Sequence, residues 1–250
     1  MHAKTTGIVL HQLKYSDSSN IVSIYTRQFG RLTFMVRGAN SKKSACRAGL
    51  FQPLSVLEIN FSYQPKRDVH PLKEARSLQP FVGIPYHPVR SSLAIFLAEV
   101  LHKTLKHTEP DEYLYCFLEK SVFELDKCEE GLANFHLCFL VQLSEYLGFY
   151  PSSENVDSAR FFDLQNGVFE YFQPNHPYFL QKENTEAFKV LTKMNFGTLN
   201  TLPLSKPCRA ELLSAMMDYY KLHIADFQTI KSVEVLHDIF SPLNPPQGGL

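Results

Sequence analysis

Residues 20–36 read NIVSIYTRQFGRLTFMV and carry the strongest fold signal in the first part of the chain. The first seven of these residues alternate between two faces and are rich in β-branched side chains, a pattern typical of a half-buried strand. A hairpin connection follows at residues 28–30, where Gly30 can supply a positive φ. Residues 31–36 provide the returning strand, so the stretch predicts an antiparallel hairpin.

Three further strands are predicted on either side of this hairpin. Residues 6–10 form an apolar run between turn-type residues, and the strand candidates 54–61 and 72–78 flank a turn at 64–68. Five short strands in the first 80 residues, separated by turn signals, favour a small barrel or sandwich. The count fits a five-stranded Greek-key barrel of the OB type.

Helical periodicity replaces the strand pattern after Pro80. The predicted helices cover residues 89–106, a segment capped by Asp111, and residues 132–147, 185–194, 205–225 and 232–240. Ser205 is a second expected N-cap, with Pro207 in the first turn. The helix at 132–147 is apolar on most sides, so we expect it to be central in its bundle.

An irregular segment at residues 151–180 interrupts these helices. Inside it, residues 160–171 predict a β-hairpin, because Asn166-Gly167 suits a type I′ turn. The predicted fold class is therefore α+β. It has an N-terminal five-stranded OB-type β-barrel at residues 1–80, then a mainly α-helical domain at 81–240 with a small β-hairpin insertion. The turn-rich tail 241–250 is expected to be disordered.

The overall composition is that of an ordinary globular protein. Of the 250 residues, 44% are hydrophobic and 20% are charged. No stretch approaches the roughly 18 consecutive apolar residues of a membrane span, and the N-terminus does not resemble a secretory signal. The five cysteines form no Cys-x-x-Cys pair, which argues against a disulfide framework or a four-cysteine zinc site. We therefore expect a cytoplasmic protein with reduced thiols, no metal and no cofactor.

Charge is distributed unevenly along a chain whose formal net charge is zero. Residues 1–80 carry 12 Lys and Arg against 4 Asp and Glu, whereas the other 170 residues carry 13 against 21. Such asymmetry between segments indicates that the first segment faces a polyanion.

The basic segment 37–47 is the most informative motif. It places four cations among small residues and no acids between two predicted strands. Phosphate contacts by such cations release counterions and supply affinity without reading sequence. Together with other cations of the barrel, this pattern predicts DNA binding by Arg27, Arg31, Arg37, Lys42, Lys43, Arg47, Lys66, Arg67 and Lys73.

Aromatic side chains are interleaved with these cations. Exposed aromatic rings stack on unpaired bases, whereas buried ones fill a barrel core. Phe34 is expected in the core, while Tyr15 and Tyr63 fit either role.

The sequence leaves two alternatives to DNA binding. Glu99-x-x-His102 and Glu234-x-x-His237 resemble half of a di-iron site on helices, but two such matches are unremarkable by chance. His136 and Cys138 lie in the most apolar helix, which favours packing over metal binding. No hydrolase, nucleotide-loop or dinucleotide signature is present, so we do not expect an enzyme. A protein–protein adaptor whose basic loop binds acidic partners is the other alternative.

Taken in order, several short motifs resemble the RecO family of bacterial recombination mediators over about residues 1–240. They are Gly7-Ile-Val-Leu10, Tyr15-Ser-Asp-Ser-Ser-Asn-Ile-Val22, Thr26-Arg-Gln-Phe-Gly-Arg31, Val36-Arg-Gly-Ala39, Leu50-Phe-Gln-Pro-Leu54, Glu74-Ala-Arg-Ser-Leu-Gln-Pro-Phe81, Leu143-Ser-Glu-Tyr-Leu-Gly-Phe-Tyr-Pro151 and Tyr219-Tyr-Lys-Leu-His-Ile224 with Lys231-Ser232. The resemblance implies a DNA repair factor that binds single- and double-stranded DNA and anneals complementary strands. It also implies partnership with RecR in loading recombinase, and with the acidic, apolar C-terminal tail of single-strand-binding protein.

The resemblance also bears on individual residues. Arg37, Lys42, Lys43 and Arg47 fall on the basic barrel loop of the family, and Arg27 and Arg31 fall on its hairpin. Many members carry a four-cysteine zinc finger after the helix that ends near Pro151. Residues 151–180 contain no cysteine here, so we expect no structural zinc, and the hairpin is interpreted as a remnant of that element.

Overall fold

The structure is a computed structural model that describes residues 1–38, 46–106 and 109–240. Lys42, Lys43 and the tail 241–250 lie outside the described residues. The chain divides into two compact units, Met1–Lys127 and Cys128–Leu250.

The first unit contains a closed five-stranded barrel, which confirms the OB-type prediction. Its strands are β1 (His2–Lys14), β2 (Ser19–Thr26), β3 (Gly30–Arg37), β4 (Val56–Ser62) and β5 (Val69–Ser77). They are arranged in the order β1-β2-β3-β5-β4, and only the β3–β5 pair is parallel. Gly30 has a φ of 63°, as the hairpin prediction requires.

Strand β1 is much longer than the apolar run at 6–10 suggested. It pairs with β4 through residues 2–8 and with β2 through residues 7–14. The polar residues in its first half hide the strand pattern in the sequence. Gly7 sits where these two pairings overlap, and a Cβ atom there would lie 2.5 Å from the Ile24 side chain. Only glycine therefore allows β1 to approach β2 this closely.

The barrel core consists of the inward residues of all five strands. Its fully buried members include Val22, Ile24, Phe34, Ile59 and Phe61. Phe34 and Phe61 meet edge to face with ring centroids 5.0 Å apart, a favourable aromatic geometry. Phe34 thus lies in the core, as expected.

Two helices complete the first unit: α1 (Pro88–Thr104) and α2 (Glu112–Lys127). Asp111 caps α2 by accepting a hydrogen bond from the Leu114 N–H at 3.0 Å, as the sequence predicts. The buried Asp126 carboxylate accepts hydrogen bonds from the backbone N–H groups of Val82, Gly83 and Ile84 at 3.0, 2.8 and 2.7 Å. This contact fixes the barrel exit to α2, so the first unit extends well beyond residue 80.

The second unit combines helices with a small sheet. Its elements are α3 (Phe135–Tyr146), β6 (Phe161–Asp163), β7 (Val168–Glu170), β8 (Phe179–Gln181), α4 (Glu183–Thr192), α5 (Lys206–His223) and α6 (Ser232–Phe240). Nine of the twelve residues of α3 are buried, in line with its apolar sequence. Ser205 caps α5 by accepting a hydrogen bond from the Cys208 N–H.

The predicted hairpin at 160–171 exists, but its turn is not type I′. Gly167 has a positive φ of 69°, whereas the φ of Asn166 is not positive, as a type I′ turn would require. Instead, the Asp163 carboxylate accepts hydrogen bonds from the N–H groups of Gln165 (2.7 Å) and Asn166 (3.0 Å), and the Gly167 N–H donates to the Asp163 carbonyl. A longer turn results, built around Asp163. A third strand, β8, joins the other edge of β6 and was not predicted.

Among the described residues, no helix has both the length and the apolar character needed to cross a membrane.

Candidate nucleic-acid interface

The structure separates the predicted DNA-binding residues into groups with different surroundings. Arg37, Arg47, Lys66 and Arg67 are exposed and make no ion pair with any residue in the described ranges. Arg27 and Arg31 contact the helices of the first unit instead. Lys42 and Lys43 belong to the undescribed segment 39–45.

The parallel pairing of β3 with β5 brings several of the exposed cations together. The paired positions end at Met35 and Pro71, and two residues further along each strand lie Arg37 and Lys73. Lys66 and Arg67 lie in the turn that leads into β5. We call these four cations the β3–β5 strip: Arg37, Lys66, Arg67 and Lys73. Between residues 67 and 73 it extends roughly 20 Å at about 3.3 Å per residue.

Lys73 makes no ion pair with a carboxylate in the described part of the chain, although a histidine lies beside it. Its Nζ atom lies 3.0 and 3.1 Å from the two ring nitrogens of the exposed His2. An imidazole can accept from an ammonium group without cancelling its charge.

The neighbouring face of the barrel is different, because its charges neutralise one another. Glu58 on β4 lies between Lys4 of β1 (3.0 Å) and Arg76 of β5 (2.5 Å). Hydrogen bonds from Lys4 and then Arg76 hold the pKa of Glu58 below its ordinary value. Asn60 of the same strand donates to Glu74 at 2.9 Å. Among the described strands of the barrel, the β3–β5 side therefore carries the cations that no carboxylate neutralises.

Arg27 is held by a carboxylate of α2. Its Nε atom lies 2.9 and 3.0 Å from the two carboxylate oxygens of Glu112, and its terminal nitrogen also contacts this group. The hydrogen bond that Arg27 donates to Glu112 raises the pKa of Arg27, and the same hydrogen bond lowers the pKa of Glu112. The guanidinium also lies 5.6 Å from the centre of the Tyr115 ring. Arg27 is thus occupied by α2 in this structure.

Arg31 is half-buried and binds the end of α1. It donates to the carbonyl oxygens of His102 (2.8 Å) and Leu105 (3.3 Å), and its other terminal nitrogen lies 3.1 Å from His102 Nδ1. The last carbonyl groups of a helix lack partners within the helix, and a cation there also favours the helix dipole. Arg31 therefore joins β3 to α1, a role that sequence reasoning did not detect.

The aromatic residues of the barrel take different positions. Tyr15 is 66% exposed in the turn between β1 and β2. Tyr63 is half-buried, with its ring centre 4.8 Å from that of Phe29 and 5.4 Å from that of His70. Tyr63 therefore closes one end of the barrel core, while Tyr15 remains accessible.

Glu99 and His102, the first Glu-x-x-His motif, contact other side chains of the first unit. Glu99 accepts from Lys103 at 2.7 Å, and His102 contacts Arg31 while its ring stacks on His11. Burial, with Arg31 next in effect, lowers the pKa of His102 to about 4. No group of three His, Cys, Asp or Glu side chains in the described ranges is arranged to hold a metal ion.

His136 and Cys138 are buried within the second unit. Burial lowers the pKa of His136 to about 3 and raises that of the Cys138 thiol to about 12. The Cys138 sulfur accepts from Gln142 Nε2 at 3.1 Å. Both side chains are packed into the interior, as their apolar helix indicated.

Comparison with known proteins agrees with this architecture. Residues 1–81 match the family described as Recombination protein O N terminal, and residues 86–232 match Recombination protein O C terminal. The chain is 43% identical to the DNA repair protein RecO of Phocaeicola vulgatus, with 96% of this chain and 100% of the relative covered. The proteins of the same name from Bacteroides fragilis and Porphyromonas gingivalis are 39% and 32% identical, covering 96% and 94% of this chain and 100% and 97% of theirs. The chain therefore belongs to the RecO family of DNA repair proteins.

Proposed function

We propose that this chain binds single- and double-stranded DNA through the β3–β5 strip and promotes annealing of complementary strands. The observation that carries the proposal is the row of exposed cations on β3 and β5 beside a face whose charges are already paired. From their sequence positions, we also propose DNA contacts by Arg47, Lys42 and Lys43. The activity requires no enzymatic step and no cofactor.

The proposed mechanism is electrostatic. Lysine and arginine side chains neutralise phosphates and release condensed counterions, whatever the base sequence. Two strands held in this way repel one another less, so their bases can pair. Because the contacts are to the backbone, the protein leaves the base edges free for pairing.

A salt series tests this mechanism directly. We expect fluorescence-anisotropy affinities for single- and double-stranded oligonucleotides to fall steeply as salt rises. The double variant Lys66→Gln/Arg67→Gln should reduce the slope of log K against log salt by about 1.4 for single strands and about 1.8 for duplexes. Lys120→Gln/Lys127→Gln, at two exposed lysines of α2, is the control with the same loss of charge. Affinity that hardly changes with salt would contradict the proposal and favour the adaptor alternative.

We further propose two protein partners: RecR and the C-terminal tail of single-strand-binding protein, which together would allow recombinase loading. A pocket of about 240 Å³ in the second unit supports the second partner. Leu213, Leu236 and Phe240 give this pocket apolar walls, and Lys206 and Arg209 line it with positive charge. Such a lining suits a peptide that is both acidic and apolar.

Peptide binding separates this partner from the DNA activity. A labelled acidic, apolar tail peptide should bind the chain, and Lys206→Ala should weaken the complex. Lys193→Ala, another exposed lysine of the same unit, should leave it unchanged. Equal effects of the two variants would argue against the pocket.

Two further expectations accompany the proposal. A cytoplasmic location follows from the need for access to chromosomal DNA. The absence of structural zinc stays a prediction, which metal analysis of the purified protein can check.

A further inference from the structure

A carboxylate of α2 takes the place on Arg27 that a phosphate would need. Both oxygens of Glu112 lie near the Nε atom of Arg27, at 2.9 and 3.0 Å, and one of them also contacts its terminal nitrogen. Arginine binds carboxylates and phosphates alike through such paired contacts along one edge of the guanidinium. The same edge cannot serve both groups at once, so Glu112 excludes a phosphate from it.

One face of α2 forms the surroundings of Arg27. Glu112, Tyr115 and Cys116 are three and four positions apart, so they share this face. The guanidinium lies 5.6 Å from the centre of the Tyr115 ring and 3.8 Å from Cys116 Sγ. Glu119, one turn further along, accepts a hydrogen bond from the Tyr115 hydroxyl at 3.3 Å instead. Glu112 is therefore the carboxylate that binds Arg27.

The pair is accessible to competing ions. The side chains of Arg27 and Glu112 are 42% and 54% exposed, and ion pairs at such exposed positions contribute little to stability. Arg31 differs, because it is half-buried and its acceptors include backbone carbonyl groups at the end of α1. Arg27 can therefore change partners without loss of the fold, whereas Arg31 cannot.

Arg27 lies at one end of the β3–β5 strip. The β2–β3 turn that carries it also holds Phe29, whose ring centre is 4.8 Å from that of Tyr63. Tyr63 is followed by the turn that contains Lys66 and Arg67. Strands β2 and β5 flank β3, so at this end of the barrel they are about 10 Å apart, two strand spacings. Since each DNA strand carries a charge about every 3.4 Å of helix axis, a strand bound at the strip can also reach Arg27.

We propose that Glu112 competes with DNA phosphates for Arg27 and so limits the affinity of the chain for DNA. The inference rests on the proposed function and adds to it a residue that sets how firmly a strand is held. Any carboxylate near the interface repels phosphates through its charge. Glu112 has a second effect, because it occupies a cation that would otherwise extend the strip.

A double-mutant cycle on Arg27 and Glu112 separates these two effects. In the full-length chain, we expect Glu112→Gln to raise the affinity for single-stranded and duplex oligonucleotides about two- to fivefold, the range expected when an exposed ion pair no longer has to be broken. Glu124→Gln is the matched control, because it removes a carboxylate from an exposed position twelve residues further along α2. It reports the effect of charge alone and should raise the affinity less.

Arg27→Gln reveals the competition itself. This change removes the same charge with or without Glu112, so an effect of charge alone is equal in both backgrounds. Competition predicts a larger loss of affinity in the Glu112→Gln background, where Arg27 is free to bind phosphate. A salt series gives a second readout. Glu112→Gln should steepen the slope of log K against log salt by up to about 0.7 for single strands and about 0.9 for duplexes, and Arg27→Gln/Glu112→Gln should abolish this increase.

The outcomes separate this inference from the proposed function. Equal losses from Arg27→Gln in the two backgrounds would overturn the inference, because Glu112 would then act through its charge alone. A gain in affinity that persists in Arg27→Gln/Glu112→Gln would overturn it as well. Salt-dependent binding in either case leaves the proposed function standing. Failure of the chain to bind any oligonucleotide would refute both.

Discussion

The Arg31 guanidinium donates a hydrogen bond of 2.8 Å to the carbonyl oxygen of His102, and so ties β3 to the last turn of α1. These two residues are 71 positions apart in sequence. Arg31 of the basic hairpin therefore has a structural role in the first unit.

Replacement of Arg31 should therefore destabilise the fold. We expect Arg31→Gln to lower the free energy of unfolding by about 1–3 kcal/mol, since it leaves partly buried carbonyl groups without their donor. Arg37→Gln, at an exposed position, should change it by less than about 0.5 kcal/mol. Urea unfolding measures both. A reversed order, with Arg37 the more important for stability, would refute this assignment.

Asp126 should contribute more to the stability of the fold than any carboxylate on the surface. It is 4% exposed and accepts three backbone hydrogen bonds at the barrel exit. We expect Asp126→Ala to lower the free energy of unfolding by about 3 kcal/mol, because three buried N–H groups lose their acceptor. The exposed Glu124, two residues earlier on α2, offers the control Glu124→Ala, for which little change is expected. Thermal and urea unfolding should both show a larger loss of stability for Asp126→Ala than for Glu124→Ala.

Lys182 is held in a backbone conformation that glycine prefers. Its φ and ψ are 53° and −129°, a region that costs a residue with a Cβ atom about 1–3 kcal/mol. Lys182→Gly should therefore raise the free energy of unfolding by about 1 kcal/mol. Lys193→Gly, at the other end of α4 where φ is −100°, should lower it by about 0.5–1 kcal/mol. Destabilisation by both glycines would show that Lys182 is not strained.

Stability should fall in acid through Asp163. Burial alone would raise the pKa of Asp163, but hydrogen bonds from Asn166, Gln165 and His176 outweigh this effect and hold the pKa below its ordinary value of 3.8. A carboxylate with a lowered folded-state pKa stabilises the fold fully above its unfolded pKa, and this contribution is lost as pH falls through the folded pKa. The difference in unfolding free energy between the wild type and Asp163→Asn should therefore be constant near neutrality and shrink below about pH 4. A difference independent of pH would contradict this role.

The parts of the fold that could be predicted from sequence are those with local signals. Residues 20–36 alternate regularly, so β2, β3 and their turn were predicted to within a residue or two. Strand β8 has only three residues, after Pro177, too few to show a period. The first half of β1 carries His2, Lys4 and Thr6, whose polarity conceals the part of the strand that pairs with β4.

The candidate interface was only partly predictable for a similar reason. The basic composition identified the cations, but composition does not reveal which cations the fold already uses. Arg27 meets its carboxylate partner on α2, 85 residues away. Arg31 likewise meets the carbonyl groups at the end of α1, 71 residues away.

The division of β1 between two partners has a consequence for synthesis of the chain. Residues 2–8 leave the ribosome before their partners on β4, from Val56 to Ser62, which are made about 50 residues later. At about 5–20 residues per second, this edge waits roughly 3–10 s without its neighbour. An unpaired edge invites association with other nascent chains, and a lysine on it discourages such pairing. Until Lys4 pairs with Glu58 in the folded barrel, its charge thus discourages association of nascent β1 with other chains.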